Sequence, residues 1–109
     1  MSAVQLLAVF AENKPGLLAR VTQVLAQAGV NIRWIAIAAS ERFGVIKILA
    51  DPTDVASQAL QAEGLTVTRL DVLAVEVEDR PGALHAVVDS LARRQVNVEN
   101  ASGCVVRGR

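Results

Sequence analysis

The sequence is poor in cysteine, in aromatic residues and in net charge. Of its 109 residues only Cys104 is a cysteine, so an internal disulfide is excluded and a reducing cytoplasm is the expected location. Aromatic residues make up 3% of the chain. Lys and Arg together number 11, and Asp and Glu together also number 11. A chain with no basic surplus and so few stacking side chains is not expected to bind nucleic acid or an anionic membrane.

Long apolar runs are also lacking. No segment approaches the roughly 20 apolar residues that cross a bilayer, and the first ten residues do not have the basic start of a signal peptide. Hydrophobic residues nevertheless make up 52% of the chain, which is enough for a core. We therefore expect a soluble protein with one ordinary domain or two very small ones.

Short apolar runs alternate with amphipathic segments in the first 70 residues. Four strands are predicted from the runs and their turn residues, at 4–10, 30–39, 45–50 and 65–70. One predicted helix starts near Leu17 and ends at Gly29; another is capped by Asp51 and ends at Gly64. The order strand, helix, strand, strand, helix, strand predicts an α+β, ferredoxin-like fold, an antiparallel sheet with both helices on one face.

The chain repeats itself after 66 residues. Residues 12–32 align with 78–98 without gaps, and the identities far exceed the one or two that average composition gives by chance. The clearest matches are ENKPGLL with EDRPGAL, and VNI with VNV. This repeat predicts a complete module at 1–70 and a second module at 71–109.

At this offset the second module stops after a strand, a helix and a strand. The length of such a piece is close to roughly 40 residues, below which a chain does not usually fold stably by itself. It must therefore dock on the first module, take a strand from a partner, or belong to a longer natural protein. We favour the last of these, a shortened form of a longer protein.

The two proline-glycine turns stand where helices are predicted to begin. Asn13 and Asp79 are suited to cap these helices through their side chains. The turns are either plain strand-to-helix connections or small anion sites, because free amides at a helix start favour a carboxylate. Lys14 and Arg80 would add positive charge to such a site.

A matched asparagine opens the strand after each helix. Asparagine is depleted in strands, so Asn31 and Asn97 require a reason. Each side chain either bonds its own backbone, as in a turn, or contacts a polar ligand.

The chain contains a strand, then the motif (D/N)-x-P-G-x-L, a helix and the motif G-(V/I)-N-(I/V). This arrangement resembles the ACT domain, a regulatory module that binds amino acids. The resemblance covers the chain as one complete βαββαβ module and a βαβ half of another, and is closest to stand-alone tandem ACT proteins. It implies a ligand at a module or subunit interface, between the helix-start loop of one module and an early strand of another. The residues that match the motif are Asn13, Lys14, Pro15, Gly16, Leu17, Leu18, Asn31 and Ile32, and then Asp79, Arg80, Pro81, Gly82, Ala83, Leu84, Asn97 and Val98.

Two positions depart from the family pattern. Asn13 stands where an acid is common, so the first loop has no carboxylate to pair with a ligand ammonium. Gln95 replaces the usual helix-ending glycine of the second module.

Catalysis has little support in the sequence. His85 and Cys104 are the only residues of their kind, which excludes a Cys/His metal cluster, and neither a metal nor a cofactor is expected. The favoured function is a non-enzymatic sensor of a small molecule, an amino acid by resemblance, acting on a metabolic enzyme or regulator. The alternative is a ligand-free assembly module. A homodimer is expected in both cases, because the strands at 30–39 and 45–50 carry apolar residues on both faces.

Overall fold

The computed structural model describes residues 2–104. Its elements are β1 (Ser2–Glu12), α1 (Leu17–Gln27), β2 (Asn31–Ala39), β3 (Phe43–Asp51), α2 (Thr53–Ala62), β4 (Thr66–Ala74) and α3 (Ala83–Arg93). These residues form two compact units, the first ending at Ala74 and the second beginning at Val75. No helix within the described range is long and apolar enough to cross a membrane.

The first unit contains a four-stranded sheet. Its strand order is β2-β3-β1-β4, and every neighbouring pair is antiparallel. The sequence order βαββαβ and the ferredoxin-like α+β fold predicted for this part of the chain are therefore confirmed.

The core lies between α1, α2 and one face of the sheet. Its largest fully buried side chains are Leu7, Val9, Val21, Leu25, Ile46, Ile48 and Leu60. Burying each of these contributes about 1.5–3 kcal/mol relative to exposure. Because side chains alternate along a strand, the opposite, outer face of the sheet carries the intervening residues, such as Val45 of β3.

Neither helix of the first unit has a side-chain cap. The residue before α1 is Gly16, with φ 90°, and the side chain of Asn13 instead donates to the Ser40 carbonyl at 3.0 Å. The predicted Asp51 cap of α2 is likewise wrong, because its carboxylate accepts a bond from Arg33 at 3.1 Å. In both cases the side chain bonds to a residue of a neighbouring strand or turn and not to the amides at the start of the helix.

The second unit is built around α3. Gly82 precedes the helix with φ 87° and no side chain caps it, so the predicted Asp79 cap is also wrong. Gln95, after the helix, has φ 59°, the left-handed conformation that Gly29 adopts at the matched place with φ 74°.

The strands expected on either side of α3 are not found within 75–104. Residues 71–74, expected to begin the strand of a second module, instead extend β4 and pair with Ser2–Gln5 of β1. The physical reason is that β1 begins at Ser2, earlier than predicted, and offers backbone partners to these residues. A strand needs a hydrogen-bonded neighbour.

Candidate functional site

The loop between β1 and α1 is fastened to the turn between β2 and β3. The backbone N–H of Asn13 donates to the Arg42 carbonyl at 2.7 Å, and its side-chain amide donates to the Ser40 carbonyl at 3.0 Å. The N–H of Leu17 donates to the Lys14 carbonyl at 3.3 Å, which closes the turn through Pro15 and Gly16. The next amides lie at the start of a helix, where no intrahelical partner exists.

The two matched cations differ in their surroundings. The Arg80 guanidinium is bound to the Glu78 carboxylate at 2.6 Å, within its own loop. Lys14 is exposed and makes no ion pair with any residue between 2 and 104. The first loop therefore offers an unpaired positive charge, and the second does not.

Asn31 is the first residue of β2 and lies opposite Asp51 in the sheet. Its side chain is exposed and makes no hydrogen bond to other described residues, and the same holds for Asn97. The interpretation that these side chains bond their own backbone is therefore wrong. Their amides are available to an external group.

The two halves of the predicted site lie far apart within one unit. The loop at Asn13–Gly16 precedes α1, whereas Asn31 and Ile32 follow it, and α1 has 11 residues, about 16 Å. Asn31 also lies at the opposite end of β2 from Ser40, roughly 30 Å away at 3.3 Å per residue. No single pocket of the first unit can contain both halves.

The second set has the same arrangement. Asp79–Gly82 precede α3, Ala83 and Leu84 lie in its first turn, and Asn97 and Val98 follow it. Leu84 is 66% exposed, whereas Ala83 is buried. The helix again separates the loop from the asparagine.

Two clefts lie beside the first loop. The larger has a volume of about 650 Å³ and is mainly apolar. A row of side chains across the outer face of all four strands lines it, with Ala38 opposite Val45, and Phe10 opposite both Val45 and Thr66. Phe43 completes it.

The smaller cleft, of about 450 Å³, is called the polar cleft because four of its five lining residues are charged or polar, among them the candidate residue Asn13. Its other lining residues are Glu12, Glu41, Arg42 and Phe43. None of the three charged side chains makes an ion pair or hydrogen bond elsewhere in residues 2–104. Phe43 borders both clefts.

Sequence reasoning missed all of these cleft residues except Asn13. It interpreted them as a strand end and a hairpin turn, because these residues come together only through the register of all four strands. One signal was available, since the chain has only two phenylalanines and both stand at strand ends beside turns. Phe10 is 44% and Phe43 68% exposed.

Comparison with known proteins decides the family. A family model described as an ACT domain pair matches residues 1–106. The chain belongs to this ACT family. Protein BT0572 from Bacteroides thetaiotaomicron is similar to this ACT protein over 90% of the chain and 68% of its own, with 33% identity and a TM-score of 0.86. No curated protein matches the sequence.

Two more distant structures share the fold of this ACT protein. The ligand-free regulatory subunit of aspartate kinase from Thermus thermophilus is 20% identical, with a TM-score of 0.60 over 94% of this chain and 76% of its own. An unknown protein from Galdieria sulphuraria is 14% identical, with a TM-score of 0.56 over 84% and 65%.

The reactive side chains His85 and Cys104 belong to the second unit of the ACT protein. His85 is exposed on α3, and Cys104 is exposed and unpaired. Within residues 2–104 no group of three His, Cys, Asp or Glu side chains is placed to hold a metal ion.

Proposed function

We propose that this protein is a non-catalytic regulatory protein that binds an amino acid between two subunits of a homodimer. The loop Asn13–Gly16 of one subunit and Asn31–Ile32 of the other would form the site. The bound state would then be passed to a metabolic enzyme or regulator. The observation that carries the proposal is the separation of these two halves at opposite ends of α1.

The strand β2 supplies a means of pairing. It is an edge strand with the sequence NIRWIAIAA, and Ile35 and Ile37 are 39% and 50% exposed. An edge this apolar presents unpaired N–H and C=O groups, with Arg33 as its one charged residue. Pairing with the β2 of a second subunit would satisfy these groups and cover the isoleucines.

Antiparallel pairing would also join the two halves of the site. In such a pair, the start of one β2 lies beside the end of the other, at the strand spacing of about 5 Å. Asn31 of a second subunit would then lie close to Ser40, to which Asn13 is already bonded. Its amide would face the same loop that carries Lys14, an unpaired partner for a carboxylate.

The family supports the amino-acid class of ligand. Unpaired Lys14 and Asn31, with the amides at the start of α1, suit the carboxylate of an amino acid. The fold shared with the regulatory subunit of aspartate kinase accords with a role beside a metabolic enzyme.

The first experiment is isothermal titration of the purified protein with each of the twenty amino acids. We expect saturable binding of at least one of them, with one site for each subunit. Binding of none, by a protein shown to be folded and dimeric, would reject the proposal.

Mixing two variants tests whether the site is shared. Lys14→Glu damages the loop half and Asn31→Ala damages the strand half, so each homodimer should bind weakly. After exchange of subunits, half of the dimers contain one subunit of each variant. Each mixed dimer has one intact site and one site altered in both halves, so about one quarter of all sites recover binding. No recovery in a sample shown to have exchanged would reject a site shared between two subunits.

A ligand-free assembly role is the second candidate. In α3, Val87 and Leu91 are half-buried, whereas the matched Val21 and Leu25 of α1 are fully buried. This helix therefore retains apolar surface for another protein. A dimer that binds no amino acid but captures one defined enzyme would favour assembly.

A further inference from the structure

We propose that the ligand is an amino acid with a large apolar side chain, which binds in the apolar cleft at Phe10 and Phe43. Its ammonium and carboxylate groups would bind in the adjoining polar cleft. This inference rests on the proposed function and adds the class of amino acid to it. It also adds Glu12, Arg42 and Phe43 to the site.

The apolar cleft has the size and lining of a small-molecule site. Its volume of about 650 Å³ lies within the range of about 300–1,000 Å³ that such sites occupy. Phe10 and Phe43, the two phenylalanines of the chain, both line it and are 44% and 68% exposed. An aliphatic or aromatic side chain lying between them would remove apolar surface from water on both partners.

The polar cleft has charges of both signs. The Arg42 guanidinium can hold the ligand carboxylate through two parallel hydrogen bonds, in addition to the charge that Lys14 of the first loop would supply. Glu12 and Glu41 can accept bonds from an ammonium group. Because none of these side chains is engaged with another described residue, a zwitterion would find its partners without breaking an existing pair.

The register of the sheet joins the two clefts. Glu12 lies directly opposite Phe43, and Phe10 lies opposite Val45, two residues along on the same face. Two residues along a strand span about 7 Å, the reach of one large side chain. A single amino acid can therefore place its charged groups beside Glu12 and its side chain beside Phe10. The charge complementarity of the polar cleft thus selects a free amino acid as the occupant of the apolar one.

The test compares ligands by isothermal titration. We expect leucine, isoleucine or phenylalanine to bind at least about tenfold more tightly than alanine or serine, since each buried methylene contributes about fourfold. Chemical shift changes in an amide NMR spectrum should include Phe43, Gly44 and Val45. Preference for a polar or charged side chain would overturn the inference and leave the proposed function standing, whereas binding of no amino acid would overturn both.

Two pairs of variants locate the groups. Phe43→Ala should weaken binding of the apolar amino acid about tenfold. The matched control Leu73→Ala, which truncates a residue 63% exposed on β4, should not change it. Arg42→Gln should abolish measurable binding, whereas Arg94→Gln, at the end of α3, should not. Equal binding by Phe43→Ala and the wild type would place the side chain elsewhere and overturn the inference.

Discussion

The side-chain amide of Asn13 donates to the backbone carbonyl of Ser40 at 3.0 Å. The residues are 27 positions apart, so this bond fastens the start of α1 to the turn between β2 and β3. The backbone of Asn13 makes a second bond to the same turn, at Arg42. An amide can donate this side-chain bond and an ionised carboxylate cannot.

The first prediction concerns this bond. Asn13→Asp should lower the free energy of unfolding by about 1 kcal/mol, because the bond is lost and a carboxylate faces a carbonyl oxygen. Urea unfolding followed by circular dichroism measures the change. Asn100→Asp, the same replacement at an exposed residue of the second unit, is the control and should have little effect. Equal stability of the two variants would contradict the assigned role of Asn13.

A second prediction concerns the ends of α1 and α3. The two ends are equivalent: Val30 donates to Leu25 at 2.9 Å and Val96 donates to Leu91 at 3.0 Å. Gln95 has a left-handed backbone, which costs a side-chain-bearing residue about 1–2 kcal/mol. Gln95→Gly should therefore slow amide hydrogen exchange in α3, with a gain of about 0.5–1 kcal/mol.

The reverse replacement supplies the matched comparison. Gly29→Gln should destabilise the first unit by about 1 kcal/mol through backbone strain alone, since an added Cβ meets no atom within 4 Å. A destabilising Gln95→Gly would show that the glutamine side chain has a role of its own.

A third prediction compares two leucines that the repeat aligns. Leu25 is fully buried, whereas Leu91 is only half-buried. Leu25→Ala should lower the free energy of unfolding by about 3 kcal/mol, and Leu91→Ala by about 1 kcal/mol. Urea unfolding of both variants measures the difference. Equal losses would show that Leu91 packs in a core equivalent to that around Leu25.

A fourth prediction tests pairing through β2. Ile37→Lys places a charge on the edge strand, so two copies of β2 would bring like charges together. We expect the dissociation constant of the dimer to rise at least about tenfold, while the circular dichroism spectrum stays unchanged. Val55→Lys, at an apolar residue of α2 that is 41% exposed against 50% for Ile37, is the control and should remain dimeric. Analytical ultracentrifugation distinguishes the two results.

Much of the first unit could be predicted from local patterns. The helices were predicted from the spacing of residues such as Val21 and Leu25, and their ends from Gly29 and Gly64, which both have a left-handed backbone. The caps could not be predicted, because Asn13 and Asp51 are bonded to partners distant in the chain. Helix propensity does not show that a tertiary contact will bond a side chain that could otherwise cap the helix.

The sequence alone determined the repeat, the element order of the first unit and the family, because each depends on residue types at fixed spacing. Only the tertiary structure decided that the loop at Asn13 and the strand start at Asn31 lie at opposite ends of one helix. It also brought Phe10 and Phe43 to one cleft, with the charges of Glu12 and Arg42 beside it and unpaired with any residue from 2 to 104. Strand register sets these positions, and register depends on backbone hydrogen bonds between segments that are distant along the chain.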